Sequence, residues 1–359
     1  MDLKKIFIKD ACPTKVGGQA VLEGIMMKGA DRTAIVVRKS SGDMHIKIEP
    51  LAAPKKWTKI PLLRGVLAFV DSLITGTKTL LYSADVLEAE ISGDENHKPE
   101  DDDAVTRFLT KHFGETKAWN IMLYTSVVFA LVLGVALFIV GPTLVTSLLG
   151  KVIENVVLLN LCEGLLRLLI FIVYVVLVAR MEDIQRVFQY HGAEHKTIHA
   201  FENNLELTPA NCQQFETLHP RCGTSFLMFV ILISLVVNSL LGWPNLWLRV
   251  ASRLLLLPVI AGLSYELLRW AGRSTSPIVK VLSIPGLLTQ KLTTRTPDDS
   301  QLEVAIAALR AVTKADGPKS FVGGIDTEGN LFEEAAPAVP AAPTVAEDAA
   351  AAETPAEEA

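Results

Sequence analysis

Three histidines recur at helical spacing in the segment QYHGAEHKTIHAFE, residues 189–202. His191, His195 and His199 are each four residues apart, so a helix would hold them within about 80° of one another around its axis. His191, Glu194 and His195 also match the H-x-x-E-H motif, in which the two histidines bind zinc and the glutamate activates a water molecule. The pattern predicts a metal site at His191 and His195, with Glu194 as the catalytic general base and His199 one turn further along.

Further candidate ligands lie in two later segments. The segment LHPRCGTSF, residues 218–226, contains His219 and Cys222, whose imidazole nitrogen and thiolate sulfur both bind transition metals. The segment GLSYELLRW contains Glu266, the best candidate for the distant carboxylate that completes an H-x-x-E-H site. The predicted cofactor is a divalent transition metal, with zinc as the first choice because the H-x-x-E-H motif binds zinc.

The same residues have ordinary structural interpretations, which the sequence leaves open. Histidines on a helix at a membrane surface are often simply polar interfacial side chains, and Cys222 could be a packed thiol. Glu266 could form a salt bridge with Arg269 or Arg273 at the end of its helix. Arg221, beside the histidines in sequence, could hold a phosphate or a carboxylate.

The elements that must position these residues are strongly apolar. The chain has 359 residues, of which 50% are hydrophobic and only 20% are charged, and its mean hydropathy is +0.35. Soluble domains carry about a quarter charged residues, so this composition argues against a purely soluble enzyme. The apolar residues gather in four segments, each close to the ~20 residues that a helix needs to cross a bilayer core. These segments are roughly 119–141, 161–179, 224–241 and 247–268.

The distribution of lysine and arginine between these segments predicts an orientation. The positive-inside rule places both termini and the histidine-rich loop 181–223 in the cytoplasm. Arg249 and Arg253 conflict with this topology, because they fall on the outer side. Glu163 and Arg167 are four residues apart in the second segment, in the favourable order for a helical ion pair.

The fold class expected from these patterns is a mainly α-helical integral membrane protein with about four transmembrane helices. A small β-rich unit precedes the helices, because the runs 34–39 and 44–49 are β-prone and are separated by a turn-forming SSGD. A short amphipathic helix is expected at 297–312, with Ser300 and Glu303 at capping-box spacing. In chain order, the predicted units are 1–59, the β-rich cytoplasmic unit; 60–118, an amphipathic or interfacial helix and an acidic linker; 119–270, the transmembrane domain; 271–314, a cytoplasmic segment with the amphipathic helix; and 315–359, a disordered acidic tail.

The net charge separates the tail from the remainder of the chain. Residues 315–359 contain ten acids and one base, which gives −9, so the total of −5 leaves +4 for residues 1–314. A mildly basic core suits contact with an anionic leaflet, and it is not basic enough to predict nucleic-acid binding. The expected partners are therefore the lipid bilayer and an unknown substrate or protein, and the oligomeric state is open.

Six motifs together resemble one known family. They are GGQAVLEGIMMKG, PLLRGV, DSL, HGAEHKTIHAFE, HPRCGTSF and GLSYE. This set resembles the YqhQ-like family, a group of uncharacterised bacterial multi-pass membrane proteins described as predicted metal-dependent enzymes. The resemblance covers roughly residues 15–312; it implies a membrane location and suggests a metal, but it implies no substrate or reaction.

The leading functional hypothesis is a metal-dependent membrane protein with a cytoplasm-facing site, working as a hydrolase. The alternative is a non-enzymatic membrane scaffold or regulator, with a structural metal or with none. A transporter fits less well, since the predicted spans carry few polar residues away from their ends.

Overall fold

A six-stranded antiparallel sheet draws its strands from both ends of the sequence. In this computed structural model the described residues are 6–8, 12, 14–53, 59–92, 112, 115–242, 245–271, 274, 276–314, 316–326 and 328–333. The strands pair in sequence order, each with the next. They are β1 Gly17–Val21, β2 Gly24–Lys28, β3 Arg32–Arg38, β4 Met44–Pro50, β5 Phe321–Ile325 and β6 Leu331–Phe332.

The predicted β-rich unit is confirmed at its hairpin. β3 and β4 pair with Val36 opposite Ile46, which is the arrangement expected from the two β-prone runs. The glycine-rich segment before them forms a further hairpin, β1–β2, which the sequence pattern did not assign to strands.

The predicted disordered tail needs correction at its start. β5 lies within 315–359 and pairs with β4, with Gly323 opposite Ile46. The sequence pattern does not predict this strand, because FVGGI has few β-favouring residues. The strand is stabilised by pairing with β4, which lies about 275 residues earlier in the chain. Residues 334–359 lie outside the described residues.

The helices account for most of the described chain. In chain order they are α1 Leu63–Ser92, α2 Glu115–Val135, α3 Gly141–Leu149, α4 Val156–Val178, α5 Glu182–Glu202, α6 Pro209–Gln213, α7 Gly223–Ser239, α8 Leu246–Leu255, α9 Leu257–Ala271, α10 Pro277–Thr293 and α11 Asp299–Thr313. A π-helical segment, Ala136–Val140, joins α2 to α3.

One face of the sheet forms a core with α5 and α11. Ile46 and Ile48 of β4 pack there with Tyr190 of α5 and with Leu302 and Leu309 of α11, and all five side chains are buried. The opposite face packs on α1 through a smaller apolar cluster that includes Val86. The first and last parts of the chain therefore build one core around the histidine-bearing helix.

The start of α11 differs from the expected capping box. The cap is Asp298, whose Oδ1 accepts from the Gln301 amide at 2.9 Å, while Gln301 Oε1 accepts from the Asp298 amide at 3.0 Å. The prediction of a capping box at Ser300 and Glu303 was therefore wrong by two residues. Aspartate is among the residues best suited to cap a helix, and glutamine at the third position completes the reciprocal pair.

Two helical segments among the described residues are long and apolar enough to cross a membrane, Tyr124–Leu149 and Val156–Val178. The pair α8–α9, bent by 41° at its junction, could form a third span. The helix α7 is apolar but has only 17 residues. These helices agree with the first two predicted spans, while the other two predicted spans correspond to a short helix and a bent pair.

Candidate metal centre

His191, His195 and Cys222 converge at the junction of α5 and α7. One ring nitrogen of each histidine and the Cys222 Sγ all lie within 4.8 Å of one another. The two histidines are four residues apart on α5, and their ring centroids are separated by 4.4 Å. Cys222 is the residue that caps the N-terminus of α7, and its sulfur accepts from the Thr224 amide at 3.4 Å. We call these three residues the His/Cys triad.

Backbone carbonyl oxygens orient both histidine rings. His191 Nδ1 lies 2.9 Å from the Thr293 carbonyl oxygen, and His195 Nδ1 lies 2.5 Å from the Thr217 carbonyl oxygen. Because a carbonyl can only accept, each Nδ1 must donate its proton, which leaves the Nε2 lone pair for another partner. Metal-binding histidines are commonly held in this way.

The Nε2 atoms of both rings are placed to bind a metal ion. His191 Nε2 lies 3.1 Å from Cys222 Sγ, and His195 Nε2 is buried without a hydrogen-bond partner in the described part of the chain. A buried polar atom without a partner is costly, and a shared cation would satisfy it. Two imidazole nitrogens and one sulfur form a donor set that suits zinc and other borderline-soft divalent ions.

The protonation states also suit metal binding. Burial lowers the pKa of His195 to about 4, so this ring is neutral at physiological pH. Burial opposes ionisation of Cys222, but the neighbouring His195 and Thr224 outweigh it and lower the pKa of the thiol below its ordinary value. Both changes favour the forms that coordinate a metal, neutral imidazole and thiolate.

Glu194 is buried beside the triad and is held by the sheet. Its Oε1 accepts from the Gly18 amide of β1 at 2.9 Å. Burial raises the pKa of Glu194 to about 7, and the nearby Cys222 adds to this, while His191 and the Gly18 amide act in the opposite direction. A carboxyl group with a pKa near neutrality can both take and return a proton at physiological pH.

His199 and His219 form an adjoining polar group instead of joining the triad. Their ring centroids are 4.7 Å apart, and His199 Nε2 lies 3.0 Å from the Leu218 carbonyl oxygen. Glu202 forms an ion pair with Arg221, so the anion that this arginine binds is a carboxylate of the same chain. Burial acts against ionisation of Glu202, but hydrogen bonds from His219, Arg221 and Thr14 hold its pKa at about 2.

Glu266 is not part of the His/Cys triad. Its carboxylate pairs with Arg64 of α1, with 2.6 Å between Arg64 Nε and Glu266 Oε1, and it also accepts from the Leu62 amide at 3.4 Å. This salt bridge joins α1 to α9. The structure therefore brings together His191, His195 and Cys222 of the six predicted ligands, and Glu266 has an ordinary salt-bridge partner.

Lys196 is a site residue that the sequence reasoning missed. Its buried ammonium group donates to the carbonyl oxygens of Gln213 at 2.8 Å and Phe215 at 2.7 Å. These two bonds hold the loop whose next carbonyls, at Thr217 and Leu218, orient the histidines. The only sequence signal was a lysine within an otherwise buried stretch of helix, and the loop it binds was not predictable from spacing.

Gly18→Ala should destabilise the site, because β1 approaches Glu194 too closely for a side chain. A Cβ at Gly18 would lie 2.7 Å from the Met26 carbonyl oxygen and 3.0 Å from the Glu194 carboxyl carbon. We expect a loss of about 1–3 kcal/mol in the free energy of unfolding, typical of overpacking. The neighbouring Gly17→Ala is the matched control, since its Cβ would have nothing within 4 Å. Equal unfolding midpoints for the two variants would contradict the close approach.

Comparisons with known proteins identify a family whose members have no assigned activity. The family model described as protein of unknown function (DUF1385) matches residues 60–315. The chain is 34% identical over 319 residues to a Bacillus subtilis (strain 168) protein named "Uncharacterized protein YqhQ", and the match covers 86% of this chain and 95% of that protein. No solved structure matches the chain.

Proposed function

Since the chain belongs to DUF1385, a family of proteins of unknown function, its activity must be inferred from its own site, and we propose that it is a metal-dependent membrane hydrolase. The observation that carries the proposal is the His/Cys triad. Its three ligand atoms lie within 4.8 Å of one another, and the Nδ1 atom of each histidine ring is held by a backbone carbonyl oxygen. Zinc is the metal that this donor set suits best.

The number of protein ligands supports a catalytic site over a structural one. Structural zinc sites usually have four protein ligands, whereas catalytic sites have three and keep one position for water or substrate. Among the described residues only His191, His195 and Cys222 form such a group. A metal held there would supply Lewis acidity and would lower the pKa of a water molecule.

Glu194 is suited to the role of general base in this proposal. It is 6% exposed, and its pKa of about 7 lets it accept a proton from water at physiological pH. The Gly18 amide fixes one carboxylate oxygen, which orients the group without neutralising it. Glu194 would hold that proton and deliver it to the leaving group of the substrate.

We place the site at the cytoplasmic face of a four-span membrane domain. The apolar helices Tyr124–Leu149 and Val156–Val178 support two of these spans, and we assign the others to α7 and to the bent pair α8–α9. The positive-inside rule supports cytoplasmic termini and a cytoplasmic His/Cys triad. The substrate would then reach the site from the cytoplasm or from the inner leaflet.

Glu194→Gln separates the hydrolase from a scaffold or regulator with a structural metal. Glutamine keeps the shape and the acceptor for the Gly18 amide but cannot take a proton at neutral pH. We expect the variant to keep its metal and its unfolding midpoint, and to lose at least about 100-fold in turnover, the lower end of what general-base catalysis contributes. The measurement is metal content together with hydrolysis of a panel of chromogenic ester, amide and phosphate substrates.

The control for this test is the metal-free protein. Chelator treatment of the wild type should abolish the same hydrolysis, and re-addition of zinc should restore it. Turnover that persists in the Glu194→Gln variant would refute the assigned base. A metal-loaded wild type without turnover on the whole panel would favour the non-enzymatic alternative.

A further inference from the structure

The side chain of Gln290, near the C-terminal end of α10, is buried against two points of the chain that flank Cys222. Its Oε1 accepts from the His219 amide at 2.8 Å. Its Nε2 donates to the His219 carbonyl oxygen at 2.9 Å and to the Ser225 hydroxyl at 3.0 Å. Gln290, His219 and Ser225 are all buried. One amide group therefore binds the residue three positions before Cys222 and the residue three positions after it.

The chemistry of the partners fixes the orientation of the Gln290 amide. The backbone amide of His219 can only donate, so the atom that faces it must be the amide oxygen of Gln290. The carbonyl oxygen of His219 can only accept, so the atom that faces it must be the amide nitrogen. An apolar side chain at this position would remove all three bonds from a buried site, where unsatisfied polar groups are costly.

Cys222 is bonded through its backbone to both residues that Gln290 holds. The Cys222 amide donates to the His219 carbonyl oxygen at 3.3 Å, and the Ser225 amide donates to the Cys222 carbonyl oxygen at 3.1 Å. A displacement of His219 or Ser225 therefore displaces Cys222 as well. The sulfur would then move relative to His191 Nε2, from which it is separated by 3.1 Å.

The same end of α10 supports the groups that orient the two histidines. The Thr293 carbonyl oxygen holds His191. The Thr294 hydroxyl lies 3.2 Å from the hydroxyl of Thr217, whose carbonyl oxygen holds His195. The last turn of α10 thus contacts the support of each ring, and a side chain of the same turn supports the third ligand.

A close approach of α10 to α7 allows Gln290 to reach its partners. A Cβ at Gly286, one helical turn before Gln290, would lie 2.6 Å from Ser225 Oγ and 3.0 Å from Ser225 Cα. The two helices therefore touch where α7 begins, directly after Cys222.

We propose that Gln290 is a positioning residue for the Cys222 thiolate, which sets the distance and direction of the sulfur relative to the two histidines. This inference rests on the metal centre of the proposed function and adds to it a residue outside the ligand set. Groups that hold the ligands of a metal commonly contribute about 10–100-fold to its affinity.

The test uses cobalt(II) in place of zinc in the purified full-length protein. A thiolate bound to cobalt(II) absorbs near-ultraviolet light through sulfur-to-metal charge transfer, and this band changes when the sulfur is displaced. Gln290→Met keeps a side chain of similar length and removes all three hydrogen bonds. We expect this variant to bind cobalt(II) at least about tenfold more weakly than the wild type. At full occupancy, its charge-transfer band should be shifted or weakened.

Thr289→Val is the matched control on the same helix. Thr289 is also buried, but its hydroxyl donates to the Pro285 carbonyl oxygen at 3.0 Å, inside α10. This variant should keep the cobalt(II) affinity and the band of the wild type. A merely structural Gln290 would change the unfolding midpoint and leave the band of the folded protein unmoved, and an unmoved band in Gln290→Met would overturn the inference.

Ser225→Ala decides the question if Gln290→Met fails to fold. It removes one of the three bonds and leaves the other two, and it should also shift or weaken the band, so an unchanged band in this variant would overturn the inference. A wild type that binds no cobalt(II), or binds it without a charge-transfer band, would instead refute the metal centre with Cys222 as a ligand. A wild-type band that the variants leave unchanged would refute only the role of Gln290.

Discussion

His191→Ala and Cys222→Ser are each expected to abolish metal binding by a chain that otherwise retains about one ion. Each change removes one of the three side chains that form the proposed ligand group among the described residues. Loss of a group that merely orients a ligand already weakens metal affinity about 10–100-fold, so loss of a ligand should cost more than that. The measurement is elemental analysis by mass spectrometry of protein purified without chelators.

Three control variants show whether a loss of metal is specific to the triad. Cys12→Ser changes an exposed cysteine, and His112→Ala changes an exposed histidine, so both should keep the metal. Glu266→Gln should also keep it, because that carboxylate pairs with Arg64 and lies outside the triad. A metal-free wild type would refute the proposed centre, and loss of metal from Glu266→Gln would return that residue to the ligand set.

Gly192→Ala is expected to be the most destabilising small substitution in α5. A Cβ at this position would lie 2.0 Å from the Arg295 carbonyl oxygen, which is a backbone atom and cannot rotate away. The Arg295 amide donates to the Phe188 carbonyl oxygen at 2.9 Å, so the segment that follows α10 is fastened to α5 at this contact. We expect a loss of at least about 3 kcal/mol, at the upper end of what overpacking costs.

The measurement is the thermal unfolding midpoint of the purified protein, followed by its metal content. Because the Thr293 carbonyl that orients His191 lies two residues before Arg295, a displaced segment should also weaken metal binding. Gly134→Ala is the matched control: it is a helical glycine whose Cβ would meet nothing within 4 Å, and alanine is about 1 kcal/mol more favourable in a helix. A midpoint for Gly192→Ala equal to that of Gly134→Ala would contradict the contact.

The local patterns of the sequence predicted several of the helices and the candidate site residues. A four-residue spacing puts His191 and His195 on one side of any helix, and α5 has that geometry. The β-prone runs around residues 34–49 formed the expected hairpin, since alternation and a polar turn act locally. The apolar runs form the long helices α2 and α4, because a helix makes its backbone hydrogen bonds within its own segment.

Tertiary structure alone decided which candidates meet. Among the predicted ligands, Cys222 is the one whose ligand atom lies within 4.8 Å of those of both His191 and His195. The carboxylate of Glu266 instead pairs with Arg64, about 200 residues earlier in the chain. The groups that orient the site, the Gly18 amide and the Thr217 and Thr293 carbonyls, are backbone atoms. Every residue carries such atoms, so no side-chain pattern can mark them.

The same physical reason explains why segments of different predicted units pack together. The first strands, α5, α11 and β5 were predicted as parts of separate units, but they share one core because each has an apolar face that only the others can cover. The sequence therefore determined which residues can do chemistry, since their types and periods are local properties. The packing of both ends of the chain around α5 decided which of them form a site, because contacts between distant segments depend on burial and shape that no local pattern encodes.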